Sequence, residues 1–386
     1  MPAKRPTQPI NHPPESTTQP PLTLGQLFLK TTALSLLFAL LMLLVTVLGI
    51  GLWGYGQFRK FLATAELTQP AFVAELRTGW QNQPLTDAGH KNLLVLGVDA
   101  TTERGEIPPL TDTMMMMSID FDQGVVNTLP LPRDLWNEAY QTKINALYAY
   151  GQERYPDRPE QFAEETIEEM TGTTIHHTLV LSLEQLKQLI ELVGGVEITV
   201  EQGFTDSQYP RSSVDITSET NPEVLYETIT FEAGLQTLSG ERALQYIRSR
   251  HSEDEQGHDL ARGARQQQVI EALLTKLTNA KLLVLQPELA GLLYRFYEQH
   301  FSRALPVTEL IATGKALLPH RQDFAFASYQ LTAVDDDPNQ GVLDNPARLS
   351  QYQYQWVYVI TEQEEFESVV QAKLFAAPAA SGDLTP

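Results

Sequence analysis

Apolar residues change their spacing several times along this chain, and each change predicts a different element. Residues 1–23 are polar and proline-rich, with Pro2, Pro6, Pro9, Pro13, Pro14, Pro20 and Pro21, a composition that does not pack. Thr31 to Trp53 then reads TTALSLLFALLMLLVTVLGIGLW, without one charge. At about 1.5 Å per residue this run spans roughly 34 Å as a helix, enough to cross a bilayer core of roughly 30 Å. A buried soluble helix is the competing reading, and so long an uncharged run argues against it. The pattern predicts a disordered tail over 1–30 and a transmembrane helix over 31–57. Phe58, Phe61, Leu62, Leu67, Phe72 and Leu76 recur at loose helical spacing, and Pro84 and Gly89 then interrupt the chain. Residues 58–90 therefore read as a stalk and linker, and the globular part begins at Lys91.

Beyond Lys91 the period changes again. Short apolar runs over 93–98, 114–119 and 125–131 predict buried strands, the last two joined by a turn at Asp120–Gly124. Further strands are expected at 178–181, 196–200 and 354–361. Helical spacing predicts helices over 144–151, 159–171, 183–193, 259–277, 282–301, 308–318 and 362–374, with a short one opened by Ser239 as N-cap. Residues 203–230 are rich in turn formers and read as a surface excursion ending in a short strand. Strands alternating with helices predict an α/β fold, a central mixed β-sheet flanked by helices. Residues 279–375 form a C-terminal extension packing on that domain, and 376–386 a disordered tail. Met114 to Met117 read as strand core, because metal-binding methionine ordinarily comes with Cys or His.

The chain carries 27 Lys+Arg against 48 Asp+Glu, a net charge of −21, which argues against a nucleic-acid partner. It has no cysteine, which excludes disulfides, thiolate metal sites and cysteine nucleophiles. Positive charges flank the apolar run almost evenly, Lys4, Arg5 and Lys30 before it and Arg59, Lys60 and Arg77 after it. The default orientation is a cytoplasmic tail with the large domain outside. Ala63-Thr64-Ala65 has the form of a cleavage site, but the run exceeds a signal h-region, which favours an uncleaved anchor.

Against that acidic background Arg242, Arg248, Arg250, Arg262 and Arg265 cluster between Ser239 and Gln268. Arg248 and Arg250 share one face of an extended segment at i, i+2. Arg262, Arg265 and Gln266 lie near the start of a helix that Asp259 is placed to cap, where backbone amides favour an anion. Guanidinium forks match phosphate oxygens. Pairing with Glu241, Glu253, Asp254, Glu255 and Asp259 is the bland alternative, and Arg242 fits it. Asp99 ends one predicted strand and Asp112 precedes the next. Carboxylates meeting at strand ends suit Mg²⁺, which shares oxygen ligands with phosphates. Loop acids without a role remain the alternative.

Taken in order, NLLVLGVD (92–99), TDTMMMMSID (111–120), LPRD (131–134), KINALYAYG (143–151), LVGGVEITV (192–200), LSGERALQYIRSR (238–250) and DLARGARQQQ (259–268) resemble the LytR-CpsA-Psr (LCP) family. The resemblance implies an LCP-type α/β/α sandwich with an apolar groove for a polyprenyl chain, its catalytic domain over 91–278. It implies a membrane-anchored phosphotransferase that moves a glycopolymer from a polyprenyl-pyrophosphate carrier to a cell-wall acceptor such as peptidoglycan. The membrane, the lipid-linked glycan and the cell-envelope acceptor are then its partners, and the site faces out of the cell. Asp99 and Asp112 match the family's magnesium-binding acids, with Mn²⁺ the other candidate ion. Arg133, Lys143, Asn145, Arg248, Arg250, Arg262, Arg265, Gln266 and Gln267 match its pyrophosphate-binding positions. The catalytic set is Arg133, Arg248, Arg250, Asp259 and Arg262. The general base stays open among Asp99, Asp112, Asp134 and Asp259. Leu110 stands where many members carry arginine. That departure keeps open a non-catalytic module binding polyprenyl-pyrophosphate lipids, or a pyrophosphatase using water.

Overall fold

A computed structural model of the chain describes residues 24–98, 109–211, 221–249, 259–279, 284–321, 324–334, 336–337 and 341–377. The elements in chain order are α1 (Leu24–Thr64), α2 (Gln69–Gln81), β1 (His90–Val98), β2 (Thr111–Asp120) and β3 (Val125–Leu131). Next come β4 (Trp136–Asn137), β5 (Thr142–Lys143), α3 (Leu147–Arg154), α4 (Glu160–Thr171), β6 (His177–Ser182), α5 (Leu183–Leu192), β7 (Val196–Val200) and β8 (Phe204–Pro210). They continue with α6 (Pro222–Leu225), β9 (Tyr226–Phe231), β10 (Gly234–Leu238), α7 (Gly240–Arg248), α8 (Asp259–Leu277) and α9 (Pro287–His300). The last are α10 (Val307–Leu317), β11 (Ala325–Ser328), β12 (Leu343–Asp344), β13 (Val359–Ile360) and α11 (Gln363–Leu374). The chain divides into two compact units, Met1–Arg59 and Lys60–Pro386.

The first unit is described as the helical stretch from Leu24. Within α1, Leu34–Thr64 reaches a mean hydropathy of 2.6 over a window whose side chains are all exposed. A soluble protein would bury such a face, so the helix fits a single-pass membrane anchor.

The second unit is built on a mixed sheet of order β11–β3–β2–β1–β6. The β1–β2 and β2–β3 pairs are antiparallel, whereas β6 runs parallel to β1 and β11 parallel to β3. The methionine run explains why the sheet needs cover on both sides. Met114 and Met116 pack with Leu94, Leu96 and Leu129 against Phe162 and Ile167 of α4 and Phe366 and Val370 of α11. Met115 and Met117 pack with Leu93, Ile119 and Val126 on the other face, where Ile270 and Leu274 of α8 cover them. Alternation along a strand produces this split, and each fully buried methionine contributes about 1.5–3 kcal/mol. A further core gathers α5, β7, β8, β9, α7 and α8 around Ile190, Ile198, Phe204, Phe231 and Tyr246.

The structure departs from the sequence reading in several places. The segment read as a stalk is part of the compact unit from Lys60 onward. Its apolar residues have partners there: Phe61 meets Phe72 and Tyr294 at ring distances of 5.3 and 6.2 Å. Gly79 of α2 approaches α10 so closely that a Cβ would stand 2.7 Å from both Ile311 Cβ and the Thr308 carbonyl. Residues 203–230 hold an extra strand, β8, paired antiparallel with β9. Its alternation was hidden because Asp206, a buried carboxylate, occupies an inward position. The C-terminal strand that joins the main sheet is β11, while 354–361 contributes only the short β13 paired with β12.

One buried charge ties the sheet to its cover. Lys91 is 1% exposed, bonded to Glu309 of α10 and, at 2.8 Å, to Thr313 Oγ1. Glu309 also accepts from the Leu85 amide at 2.7 Å. Burial pushes the Lys91 ammonium down. Burial acts to raise Glu309, but the Lys91 and Leu85 hydrogen bonds and the attraction of Lys91 together hold it below the ordinary carboxylate range.

Candidate functional site

The site grows from an irregularity where β1 and β2 end. Gly97 pairs with Thr113 and Val98 with Thr111, so Asp112 is the extra residue of a bulge. Bulges re-aim side chains, and here the bulge turns a carboxylate out of the ladder. A Cβ on Gly97 would stand 2.8 Å from Thr113 Cβ, which explains glycine at that position. Because Met114 pairs with Leu131, the chain leaving β3 brings Pro132, Arg133 and Asp134 alongside Asp112.

There a chain of charges alternates in sign. Arg133 Nη1 donates to Asp112 Oδ1 at 2.5 Å, and Arg133 Nε lies 3.3 Å from Asp134 Oδ2. Lys143 Nζ donates to the other Asp134 oxygen at 2.6 Å. The small β4–β5 ladder, with Trp136 opposite Lys143, sets that last contact. Asn145 holds the backbone: its N–H donates to the Arg133 carbonyl at 3.2 Å, and its own carbonyl accepts from Thr111 Oγ1 at 3.0 Å. Asp134 is the most enclosed member, with two cations on it, so it orients Arg133 and Lys143. Asp112 is the most open, its side chain 34% exposed.

These residues lie along a cleft that α8 borders on another side through Arg262, Gly263, Ala264 and Gln266. Of the predicted pyrophosphate ligands, the cleft therefore gathers Arg133, Arg262 and Gln266, next to Asp112. Lys143 and Asn145 stand behind it as supports. Arg265 points elsewhere. Its Nε donates to the Tyr246 carbonyl at 2.8 Å and its Nη2 to the Ser249 carbonyl at 2.6 Å. Its guanidinium also lies 4.9 Å from the Phe204 ring centre. Arg265 thus satisfies carbonyls at the C-terminal end of α7, and Ser249 Oγ beside it donates to buried Asp206 at 2.7 Å. Gln267 Nε2 donates to Thr128 Oγ1 at 2.9 Å, pinning α8 to β3. Arg248 sits at the end of α7 with its guanidinium 5.9 Å from the Tyr209 ring. Burial pushes the Tyr209 phenol up, against the pull of Arg248. Arg242 is engaged locally, with Gln245 Oε1 at 2.6 Å and the Thr230 carbonyl at 2.7 Å. Asp99, Arg250 and the Asp259 side chain lie outside the described residues.

Sequence reasoning missed one wall of the cleft. Gln330, Leu331, Trp356 and Tyr358 line it from the C-terminal extension. The aromatic pair at i, i+2 inside the predicted 354–361 strand was the available signal. Met114, Met115, Pro130, Leu131 and Leu331 supply apolar lining beside the charges. Such a cleft accepts a molecule that is anionic at one point and apolar or amphipathic at another.

A family model described as the LytR_cpsA_psr family matches residues 65–343. A protein of Oceanobacillus iheyensis named polyisoprenyl-teichoic acid–peptidoglycan teichoic acid transferase TagU is 29% identical over 215 residues, 55% of this chain and 59% of its own. Its namesake TagV of Bacillus subtilis is 27% identical over 253 residues, 64% of this chain and 57% of its own. The chain thus matches about three fifths of the length of either relative. The crystal structure of B. subtilis TagV is similar with a TM-score of 0.51 at 21% identity, covering 76% of this chain and 100% of that one. An Enterococcus faecalis structure described as a transcriptional regulator gives a TM-score of 0.50 at 21% identity, covering 74% and 87%. At such identities the structural likeness concerns the fold alone. The matched blocks, the fold and the model covering 65–343 lead to one assignment: this chain belongs to the LytR-CpsA-Psr family.

Proposed function

We propose that the protein is a membrane-anchored phosphotransferase that moves a glycopolymer from a polyprenyl-pyrophosphate carrier to a cell-envelope acceptor such as a peptidoglycan strand. The observation that carries this reading is the mixed lining of the cleft, with Arg133, Arg262 and Asp112 beside Met114, Met115 and Leu131. A pyrophosphate diester with a prenyl tail presents that same combination of charge and apolar surface. The names of the curated relatives point to the same substrate class. The α1 helix serves as the anchor, with the cleft on the extracytoplasmic side.

In the proposed reaction an acceptor hydroxyl attacks the sugar-side phosphorus. The new O–P bond forms as the bridging P–O bond breaks, polyprenyl phosphate leaves, and the hydroxyl proton passes to solvent or to a base. Arg133 and Arg262 neutralise the non-bridging oxygens and the charge developing on the leaving phosphate. Lys143, through Asp134, keeps Arg133 in place. The donor chemistry at Asp112 fits a hard, oxygen-binding cation: a carboxylate that Arg133 engages through Oδ1, at a strand bulge beside the cleft. Asp112 with Asp99 would hold Mg²⁺ or Mn²⁺ there, adding positive charge at the pyrophosphate.

The test is release of polyprenyl phosphate by the full chain in detergent from a polyprenyl-pyrophosphate-linked sugar, with and without peptidoglycan. Acceptor-dependent release supports a transferase. Release independent of acceptor identifies a pyrophosphatase. Binding without release under both conditions gives the function to a binding module and overturns the proposal.

A further inference from the structure

The family match ends at residue 343, yet part of the cleft wall lies beyond it. The segment after Tyr352 returns to the site and is stitched to the very backbone that carries Arg133. The Tyr358 N–H donates to the Asp134 carbonyl at 3.0 Å, and the Trp136 N–H donates to the Tyr358 carbonyl at 2.7 Å. Extended backbone alternates its side chains, and the consequence is visible here. Val357 is wholly buried with Trp136 and Tyr352, which anchors the segment from behind. Trp356 and Tyr358, on either side of it, both line the cleft. Their rings meet at 4.8 Å with planes 73° apart, so the phenol ring braces the indole.

The geometry points to a pyranose-binding subsite formed by Trp356 and Tyr358 together with the side-chain amides of Gln330 and Gln266. All four line the same cleft as Asp112 and Arg133. A sugar ring presents an apolar C–H face and a rim of hydroxyls. An aromatic plane takes the face, and amides, which both donate and accept, take the rim. A prenyl chain has no use for the amides, and a bare phosphate has none for the indole. The subsite rests on the phosphotransferase reading and deepens it, because it selects the glycan attached to the phosphate or the strand that receives it. Since its aromatic part lies past residue 343, this chain carries it in addition to the matched family core.

The test uses the full chain in detergent micelles with two lipids, polyprenyl pyrophosphate alone and polyprenyl pyrophosphate carrying an N-acetylhexosamine. Trp356→Ala weakens binding of the glycosylated lipid about tenfold and leaves the bare lipid within about twofold, whereas Trp356→Phe keeps most of the affinity. Gln330→Ala, at an exposed position, repeats the test without disturbing packing, and a loss for the glycosylated lipid only is again expected. If the sugar belongs to the acceptor, both lipids bind these variants normally and KM for peptidoglycan strands rises instead, which still establishes the subsite. Equal losses for both lipids, or no change in either lipid or in acceptor KM, overturn it while leaving the phosphotransferase reading intact. A wild-type chain that binds neither lipid overturns both.

Discussion

Lys91 and Glu309 allow a quantitative test of what holds the sheet to α10. Replacing Glu309 by Gln keeps the shape and an acceptor for the Leu85 amide, but leaves the Lys91 ammonium buried without a counter-charge. Removing one partner of a buried pair costs about 3–5 kcal/mol. The structure also sets a ceiling, because Lys91 can lose its proton. An ordinary lysine titrates near pH 10.4 and each pH unit is worth about 1.4 kcal/mol, so full neutralisation at pH 7 costs about 4.6 kcal/mol. A loss of about 3–4.6 kcal/mol at pH 7 is therefore expected for Glu309→Gln, read from urea unfolding in detergent by circular dichroism. The pH dependence has a definite sign. The folded variant holds the Lys91 proton less tightly than the unfolded chain does, so its stability rises with pH up to about 10.4 and the deficit shrinks. Wild type behaves differently at the acid end. Glu309, held below its unfolded value, contributes stability that is present above about pH 4.5 and lost as pH falls through its folded value. Adding Lys91→Met to Glu309→Gln removes the stranded charge and restores most of the loss. A deficit below about 1 kcal/mol, or one that stays flat between pH 7 and 10, would falsify the assignment of Lys91 as a buried cation dependent on Glu309.

Other outcomes follow from the site and its supports. Arg133→Lys keeps the charge but cannot reach Asp112 and Asp134 together, so polyprenyl phosphate release falls about 100-fold or more with little change in melting temperature. Chelation with EDTA abolishes release and Mg²⁺ restores it in wild type, while Asp112→Asn shows no restoration at the same metal concentration; full activity in EDTA would remove the metal from the proposal. Gly79→Ala forces α2 away from α10 and lowers stability by about 1–3 kcal/mol in the same unfolding assay, and an unchanged midpoint would show that the contact has room to give.

The contact between Asp112 and Arg133 depends on local register, the kind of feature that a sequence carries. The antiparallel pair β2–β3, joined by a short turn, brings residue 112 beside 133 almost automatically. The helical arginines were harder. Arg262, Arg265 and Gln266 lie near one helix end, but i+3 and i+4 fall on opposite sides of the starting residue, about 100° apart. A helix packed on several sides resolves that angle: Arg262 and Gln266 line the cleft, while Arg265 turns to the end of α7. The wall carrying Trp356 was illegible for another reason. Its position depends on backbone bonds to Asp134 and Trp136, more than two hundred residues earlier in the chain, which no local pattern encodes. The same holds for β11, a short strand whose partner is chosen by tertiary packing alone.

That last pairing bears on how the protein is made. The sheet edge at β3 is completed by Ala325–Ser328, and Asn127 of β3 donates to the Leu374 and Ala376 carbonyls at 2.8 and 3.0 Å. Until synthesis has passed those residues, β3 presents open hydrogen-bonding groups, and the apolar surface that Phe366, Val370 and Leu374 of α11 cover stays open. Parallel pairing over such a separation in sequence is slow to form, and an open edge invites pairing with other chains. The nascent protein therefore passes through a period in which most of its core strands exist but the sheet remains unsealed. A chain that stalls or terminates before about residue 325 is expected to aggregate, even though it already contains Asp112, Arg133 and Arg262.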